Sequence, residues 1–284
     1  MDTLSKEKDS FVKAVMCLLQ NGKEDLALEM AANTWRLWIL ARKGDDGRRF
    51  LAEVLDNGSG KPSRWRALAL YGDSLLAMRQ GRLEESRKRS EEALKIANSI
   101  RDLDALVLGN LAMSRVAMEE GNYELARDLS TEARRYANDL GPGFWQAPLF
   151  MQAQSYRMLG DYEKAASLFA ESLGLNRRVQ DRGMIIAELT NLGLVEIHRN
   201  NVDRAEQLLT EAEKISGSAP DDPYGKAMTL LNKAMLAYRR NDISQAHSLL
   251  SKAKTTFYEA KIERATDDKS EINWLEQQLE KITR

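Results

Sequence analysis

Apolar positions along this chain fall at helical spacing, and one short mixed motif interrupts them at regular intervals. The motif is a small turn residue, a polar residue, an apolar residue, two further residues and a small residue. It reads Gly81-Arg-Leu-Glu-Glu-Ser86, Gly121-Asn-Tyr-Glu-Leu-Ala126, Gly160-Asp-Tyr-Glu-Lys-Ala165, Asn200-Asn-Val-Asp-Arg-Ala205 and Asn241-Asp-Ile-Ser-Gln-Ala246. A degenerate copy, Lys43-Gly44-Asp45, leads into Gly47. The closing small residues stand at 47, 86, 126, 165, 205 and 246, so successive copies are 39, 40, 39, 40 and 41 residues apart. Most copies carry a second small residue seven positions on: Ala93, Ala133, Ser172, Ala212 and Ala253. Seven residues are two helical turns, so both small residues share one stripe, where another helix can approach closely. Apolar residues such as Leu168, Phe169 and Leu173, or Leu208 and Leu209, fill the positions between.

The Gly or Asn opening each motif suits the left-handed end of a preceding helix. Every unit therefore reads as helix, tight turn, helix. First helices are predicted over 24–42, 63–80, 103–120, 146–159, 182–199 and 223–240. Second helices are predicted over 45–56, 83–99, 123–139, 162–178, 202–216 and 243–264. A further helix is expected over 4–22, capping the other end or packing on a further domain, and a charged amphipathic helix over 266–283. The latter carries Ile272, Leu275, Leu279 and Ile282 on one side, as a cap over the last repeat would, with Asp267, Asp268, Lys269, Glu276 and Glu280 as its polar outer face. Breaks between units are read at Asp56–Ser63, at Gly141-Pro142-Gly143 and from Ser216 to Pro223.

The pattern resembles the tetratricopeptide repeat. Its best copy is Tyr156-Arg-Met-Leu-Gly-Asp-Tyr-Glu-Lys-Ala165-Ala-Ser-Leu-Phe169, followed by Leu192-Gly193 with Ala205 and Ala212. The period departs from the standard one, being near 40 rather than about 34 residues, and longer helices supply the difference. The resemblance implies an all-α, right-handed superhelical solenoid of about six helix-turn-helix repeats with extra helices at both ends. As one domain over 1–284, its repeats would occupy approximately 24–56, 63–99, 103–139, 146–178, 182–216 and 223–264. The N-terminal part resembles the opening of the helical-repeat region of bacterial multidomain, NTPase-linked transcriptional regulators. The residues concerned are Phe11–Val15, Asn21–Ala27, Trp35-Arg-Leu-Trp38 and Gly47–Leu51. With no NTPase or DNA-binding motif in view, that likeness makes the chain a stand-alone relative or a piece of such a regulator.

Composition narrows the function. With 42 basic and 43 acidic residues the net charge is -1, which gives no field to attract nucleic acid. The single cysteine, Cys17, sits in an apolar run and reads as a buried core residue of a reducing, cytoplasmic compartment. The polar N-terminus is unlike a signal peptide, and no run reaches the roughly 18 apolar residues of a membrane span.

The sequence offers no catalytic constellation. His198 and His247 lie on different repeats without metal-ligand spacing, and Ser114, Ser155 and Ser248 lack the glycine framing of a nucleophile. Gly58-Ser-Gly-Lys61 fails as a phosphate loop, because Leu55 stands where the first glycine belongs and Pro62 follows the lysine. The pairs Asp221-Asp222 and Asp267-Asp268 read as helix caps and solvated charge. The expectation is a non-enzyme without cofactor or metal.

In tetratricopeptide folds the first helix of each pair lines the concave groove. By repeat phase the inward residues here are Arg36, Tyr71, Arg79, Arg115, Phe150, Gln154, Arg157, Asn191, His198, Asn232, Tyr238 and Arg239. Trp35 and Trp38 fall on the core side. Arginine pairs carboxylates bidentately and aromatic rings supply contact area, so a protein or peptide partner with acidic or carboxylate groups is expected. Asn191 and Asn232 stand where related grooves hold a peptide backbone. The leading function is a peptide- or protein-binding scaffold, monomeric or a weak homodimer. A second is the effector-sensing domain of a regulator, with a peptide or small molecule in the groove, and a third is self-assembly.

Overall fold

The computed structural model describes residues 2–40, 43–58, 60–216, 223–261 and 264–283. All regular structure among them is helical. The helices are α1 (Asp2–Gln20), α2 (Glu24–Ala32), α3 (Trp35–Leu40), α4 (Gly44–Asn57), α5 (Arg64–Arg79), α6 (Leu83–Ile100), α7 (Leu103–Glu119) and α8 (Tyr123–Leu140). A 3-10 turn, Pro142–Phe144, precedes α9 (Gln146–Met158), α10 (Tyr162–Val179), α11 (Arg182–His198), α12 (Val202–Ser216), α13 (Pro223–Arg239), α14 (Ile243–Glu259) and α15 (Thr266–Thr283). The expected break after Ser216, with Asp221-Asp222, lies outside the described residues, as do the predicted end of the first helix at Ala41 and Arg42 and part of the 56–63 connection.

The motif residues do what their chemistry requires. Gly81, Gly121, Gly160, Asn200 and Asn241 all take left-handed backbone, with φ from 61 to 79°. This lets the next residue's N–H reach back into the preceding helix, as Asp161 does to Tyr156 O at 3.0 Å. Ser63, Asp161, Asp181 and Asp242 cap the following helices by accepting from backbone N–H groups. Every small residue of the motif is buried: Ser86, Ala126, Ala165, Ala205 and Ala246, then Ala93, Ala133, Ser172, Ala212 and Ala253. Close approach is real at Gly193, where an added Cβ would stand 2.8 Å from the Leu209 side chain. Gly47, the degenerate copy, packs under Trp38 in the same way.

The chain divides into two compact units, one of residues 1–116 and 128–144, the other of 117–127 and 145–284. In the first, Val15, Ala27, Leu28, Trp38, Phe50, Leu51, Val54 and Leu70 lead the core. Two expectations fail there. The predicted 24–42 helix is two helices, because Thr34 turns its hydroxyl onto Ala31 O (2.7 Å) and receives the Trp38 indole N–H (3.2 Å). Side-chain bonding of this local kind competes with the helical ladder. Cys17 is exposed rather than core, because α1 turns Val15 inward and leaves Cys17 on the opposite side beside Asn21.

In the second unit, α9 to α12 enclose Ala153, Phe169, Leu189, Val195 and Leu208. A further cluster joins α13 and α14 to Ile272, Leu275 and Leu279 of α15. No helix among the described residues is long and apolar enough to cross a membrane.

Candidate partner-binding site

The buried face of α15 has two adjacent stripes. Ile272, Leu275 and Leu279 form the apolar one, packed on the last helix pair. Beside it Asp267, Glu271 and Trp274, spaced four and three residues apart and so on one helical side, form an acidic and aromatic one. Asp267 and Asp268 occupy the first turn of α15, where the helix dipole favours negative charge.

This second stripe lies on the first helices of three successive pairs, α9, α11 and α13. Just before it, at the first residue of α15, the Thr266 hydroxyl donates to Glu119 O at the end of α7 (2.9 Å). Arg157 of α9, only 3 % exposed, donates to Glu271 through one guanidinium nitrogen and to Asp267 Oδ2 (2.7 Å) through another. Gln154 adds a long bond to the same Asp267 oxygen at 3.5 Å. His198 Nε2 of α11 lies 2.8 Å from Glu271 Oε2. The Tyr162 ring stacks on His198 at 4.7 Å, and Trp274 meets the imidazole edge-on, also at 4.7 Å. Tyr238 of α13 packs edge-on against Trp274 (5.7 Å), and the Arg239 guanidinium lies 5.1 Å from the indole centroid.

The electrostatics follow from this geometry. Burial pushes the Glu271 carboxyl up, but the His198 hydrogen bond and the Arg157 charge outweigh it and hold Glu271 below the usual range. Burial also opposes the Arg157 charge, and Glu271, Asp267 and Asp268 together more than compensate. Asp268, 3 % exposed, is raised to about 7 by burial and by the neighbouring Asp267 charge, and its main hydrogen-bond donor is the Tyr224 hydroxyl at 3.2 Å. The expected solvated acidic pair at 267–268 is thus turned inward, because Arg157 offers it a buried cation.

Of the twelve inward residues read from sequence, Gln154, Arg157, His198, Tyr238 and Arg239 come together under α15. Asn232 is buried with its Oδ1 lacking any partner. Asn191 spends its amide on Ala187 O of its own helix (2.9 Å), and Phe150 packs edge-on against Phe169. In the first unit Tyr71 is buried beneath Arg115, which donates to its hydroxyl at 3.3 Å, and Trp35 packs edge-on against Tyr71 at 5.5 Å. Arg36, over the Trp35 ring, and Arg79, at the end of α5, are exposed. Sequence reasoning missed Tyr162, Asp267, Glu271 and Trp274. The four-then-three spacing of the last three was the available signal.

A second buried polar group sits at α11. Glu188 is fully enclosed, with the Ser172 hydroxyl and the Asn176 amide donating to it and no cation beside it. Burial raises its carboxyl to about 8.

The family model for the tetratricopeptide repeat matches residues 111–181. No curated protein sequence matches the chain. Among solved structures the fold is similar to a Rap protein complexed with competence and sporulation factor, at 13 % identity and a TM-score of 0.64, over 91 % of this chain and 78 % of that one. It is similar to the APC/C hetero-tetramer Cut9-Hcn1, at 14 % identity and a TM-score of 0.65, covering 95 % of this chain and 46 % of that one. It is also similar to a Signal Transduction ATPase with Numerous Domains (STAND) protein with a tetratricopeptide repeat sensor from Pyrococcus horikoshii. That likeness has 17 % identity and a TM-score of 0.64, over 90 % of this chain and 39 % of that chain.

Proposed function

We propose that this array of tetratricopeptide-like repeats is a non-catalytic, cytoplasmic scaffold that binds a protein or peptide segment along the inward faces of its first helices. The observation that carries this reading is the row Arg157, His198, Tyr238 and Arg239, which grips a helical segment through its carboxylates and one aromatic ring. An inward face able to hold one acidic helix has the chemistry to hold acidic segments in general. The first unit offers a similar set, Arg36, Arg79 and Arg115 with Tyr71. The Rap protein's complex with competence and sporulation factor, and the tetratricopeptide repeat sensor of the STAND protein, agree with a ligand-holding array. No nucleic-acid or membrane surface is part of this reading.

The test is capture from cytosolic lysate by the immobilised full chain. Proteins held by the wild type should fall at least about tenfold with Arg79→Glu/Arg115→Glu, following the energetic concentration of interfaces in a few arginine and aromatic residues. They should be unchanged by the outer-face control Lys88→Glu. Equal recovery with both variants would remove the inward face from the account.

A further inference from the structure

We infer that residues 266–274 of α15 are a built-in competitor seated in the inward row of the second unit. The partner that row takes is a helix of another protein with two carboxylates four residues apart and an aromatic ring three residues further on. This deepens the scaffold reading and rests on it.

Three observations support it. The two stripes of α15 divide its labour. Ile272, Leu275 and Leu279 seal the last repeat, while Asp267 and Glu271 reach over α9 and α11, and Trp274 rests on His198 and Tyr238 at the edge of the terminal cluster. Lifting 266–274 uncovers Ile272 and Trp274 but leaves Leu275 and Leu279 on the terminal core. Second, the seat is imperfectly filled. Arg157 Nε and Arg239 Nε are buried without a partner, so the row holds more donors than α15 satisfies. On the other side, Asp268 is buried next to Asp267 and bonded by the neutral Tyr224 hydroxyl, while the bonds from Arg157 go to Asp267 and Glu271. A ligand that placed an acceptor on the free donors, without the surplus acid, would fit better than the resident segment. Third, the resident segment states the required chemistry. One terminal nitrogen of Arg157 on each of two carboxylates, a carboxylate oxygen on His198 Nε2 and an edge-on ring between His198 and Tyr238 select one helical side with that spacing. A tethered competitor acts at an effective concentration of order millimolar, so it screens out weak acidic segments and admits only a matching one.

The experiment uses full-length protein and a fluorescently labelled synthetic peptide of residues 264–283, followed by anisotropy. The full-length Asp267→Ala/Glu271→Ala variant keeps the whole row and should bind the probe at least about tenfold tighter than wild type, because the resident half no longer competes. Adding Arg157→Ala should abolish the gain, and a peptide with the acidic and aromatic positions shuffled should not bind. Hydrogen exchange must show residues 266–274 freed in the variant. Freed amides with no gain in affinity, or amides as protected as in wild type, overturn the inference. A shift of the variant to dimer would assign the seat to a second copy of this chain and overturn it too. If the variant loses helicity, wild-type protein decides. Millimolar unlabelled peptide should accelerate exchange over 266–274, and unchanged exchange overturns the proposal. Should the peptide fail while Arg79- and Arg115-dependent capture persists, this inference falls and the scaffold stands. Loss of both removes both.

Discussion

Arg79 in the first unit and His198 and Arg239 in the second hold the same repeat position, seven residues before the small residues at 86, 205 and 246. Arg79 is exposed, whereas His198 and Arg239 lie against Trp274. The repeat thus fixes the direction in which a side chain points. Its surroundings come from an element that does not repeat. The two units differ equally in their buried acids. Asp73, in α5, is held by Arg48 Nε at 3.0 Å and Arg89 Nε at 2.9 Å, while Glu188 has only the neutral donors Ser172 and Asn176.

The sharpest way to break this comparison is Arg157→Ala in the full chain. It strands Glu271 and Asp267 in a buried seat, and such uncompensated charge costs about 3–5 kcal/mol. The midpoint of denaturant unfolding should drop accordingly, and a drop no larger than that of Arg79→Ala would erase the distinction. Next comes Glu188→Gln. With a folded-state carboxyl near 8 against an ordinary 4.5, the native protein keeps a proton that the unfolded chain loses between those values. Wild-type stability should therefore decline as pH rises from about 5 to about 8 and level off above it, by roughly a few kcal/mol. The amide variant should flatten that decline, and a curve of unchanged slope would show Glu188 ionised inside the fold.

Gly193→Ala forces a Cβ to within 2.8 Å of Leu209, and overpacking of this kind costs about 1–3 kcal/mol. Gly47→Ala in the first unit, against Trp38, should cost a similar amount, since helix-pair packing is common to both units. A loss at only one of them would mean that the packing is not shared. Smallest of all is Arg79→Ala, where unfolding should shift by less than about 0.5 kcal/mol because the side chain is exposed.

The helix pairs, the left-handed Gly and Asn turns and the buried small residues were legible because each depends on neighbours within one repeat. The split at Thr34 was not, since a single hydroxyl competing for Ala31 O leaves no periodic trace. Cys17 was misplaced because its apolar neighbours surround the full turn of α1, and only packing decides which side faces inward. The inward row was half legible. Phase identified Arg157, His198, Tyr238 and Arg239, but nothing in a repeat announces that a terminal helix returns to cover them. Of the four apolar residues read along the last helix, Ile272, Leu275 and Leu279 pack on the last helix pair, while Ile282 is exposed. Asp267 read as outer face and Glu271 and Trp274 carried no sequence signal of their own, whereas Arg157 turns Asp267 and Glu271 inward.

The bond between Thr266 and Glu119 joins residues 147 apart in sequence, where neighbouring repeats meet over a span of about 40. A linear array can form from any point and spread outward, since each unit needs only its neighbours. The second unit cannot finish that way, because its closing contacts join the start of the unit to its end. During synthesis α7 and α9 leave the ribosome well before α15, so Arg157 and His198 spend that interval without the carboxylates they will hold. In that time these side chains have no buried partner, and the eighteen residues of α15 set when that period ends.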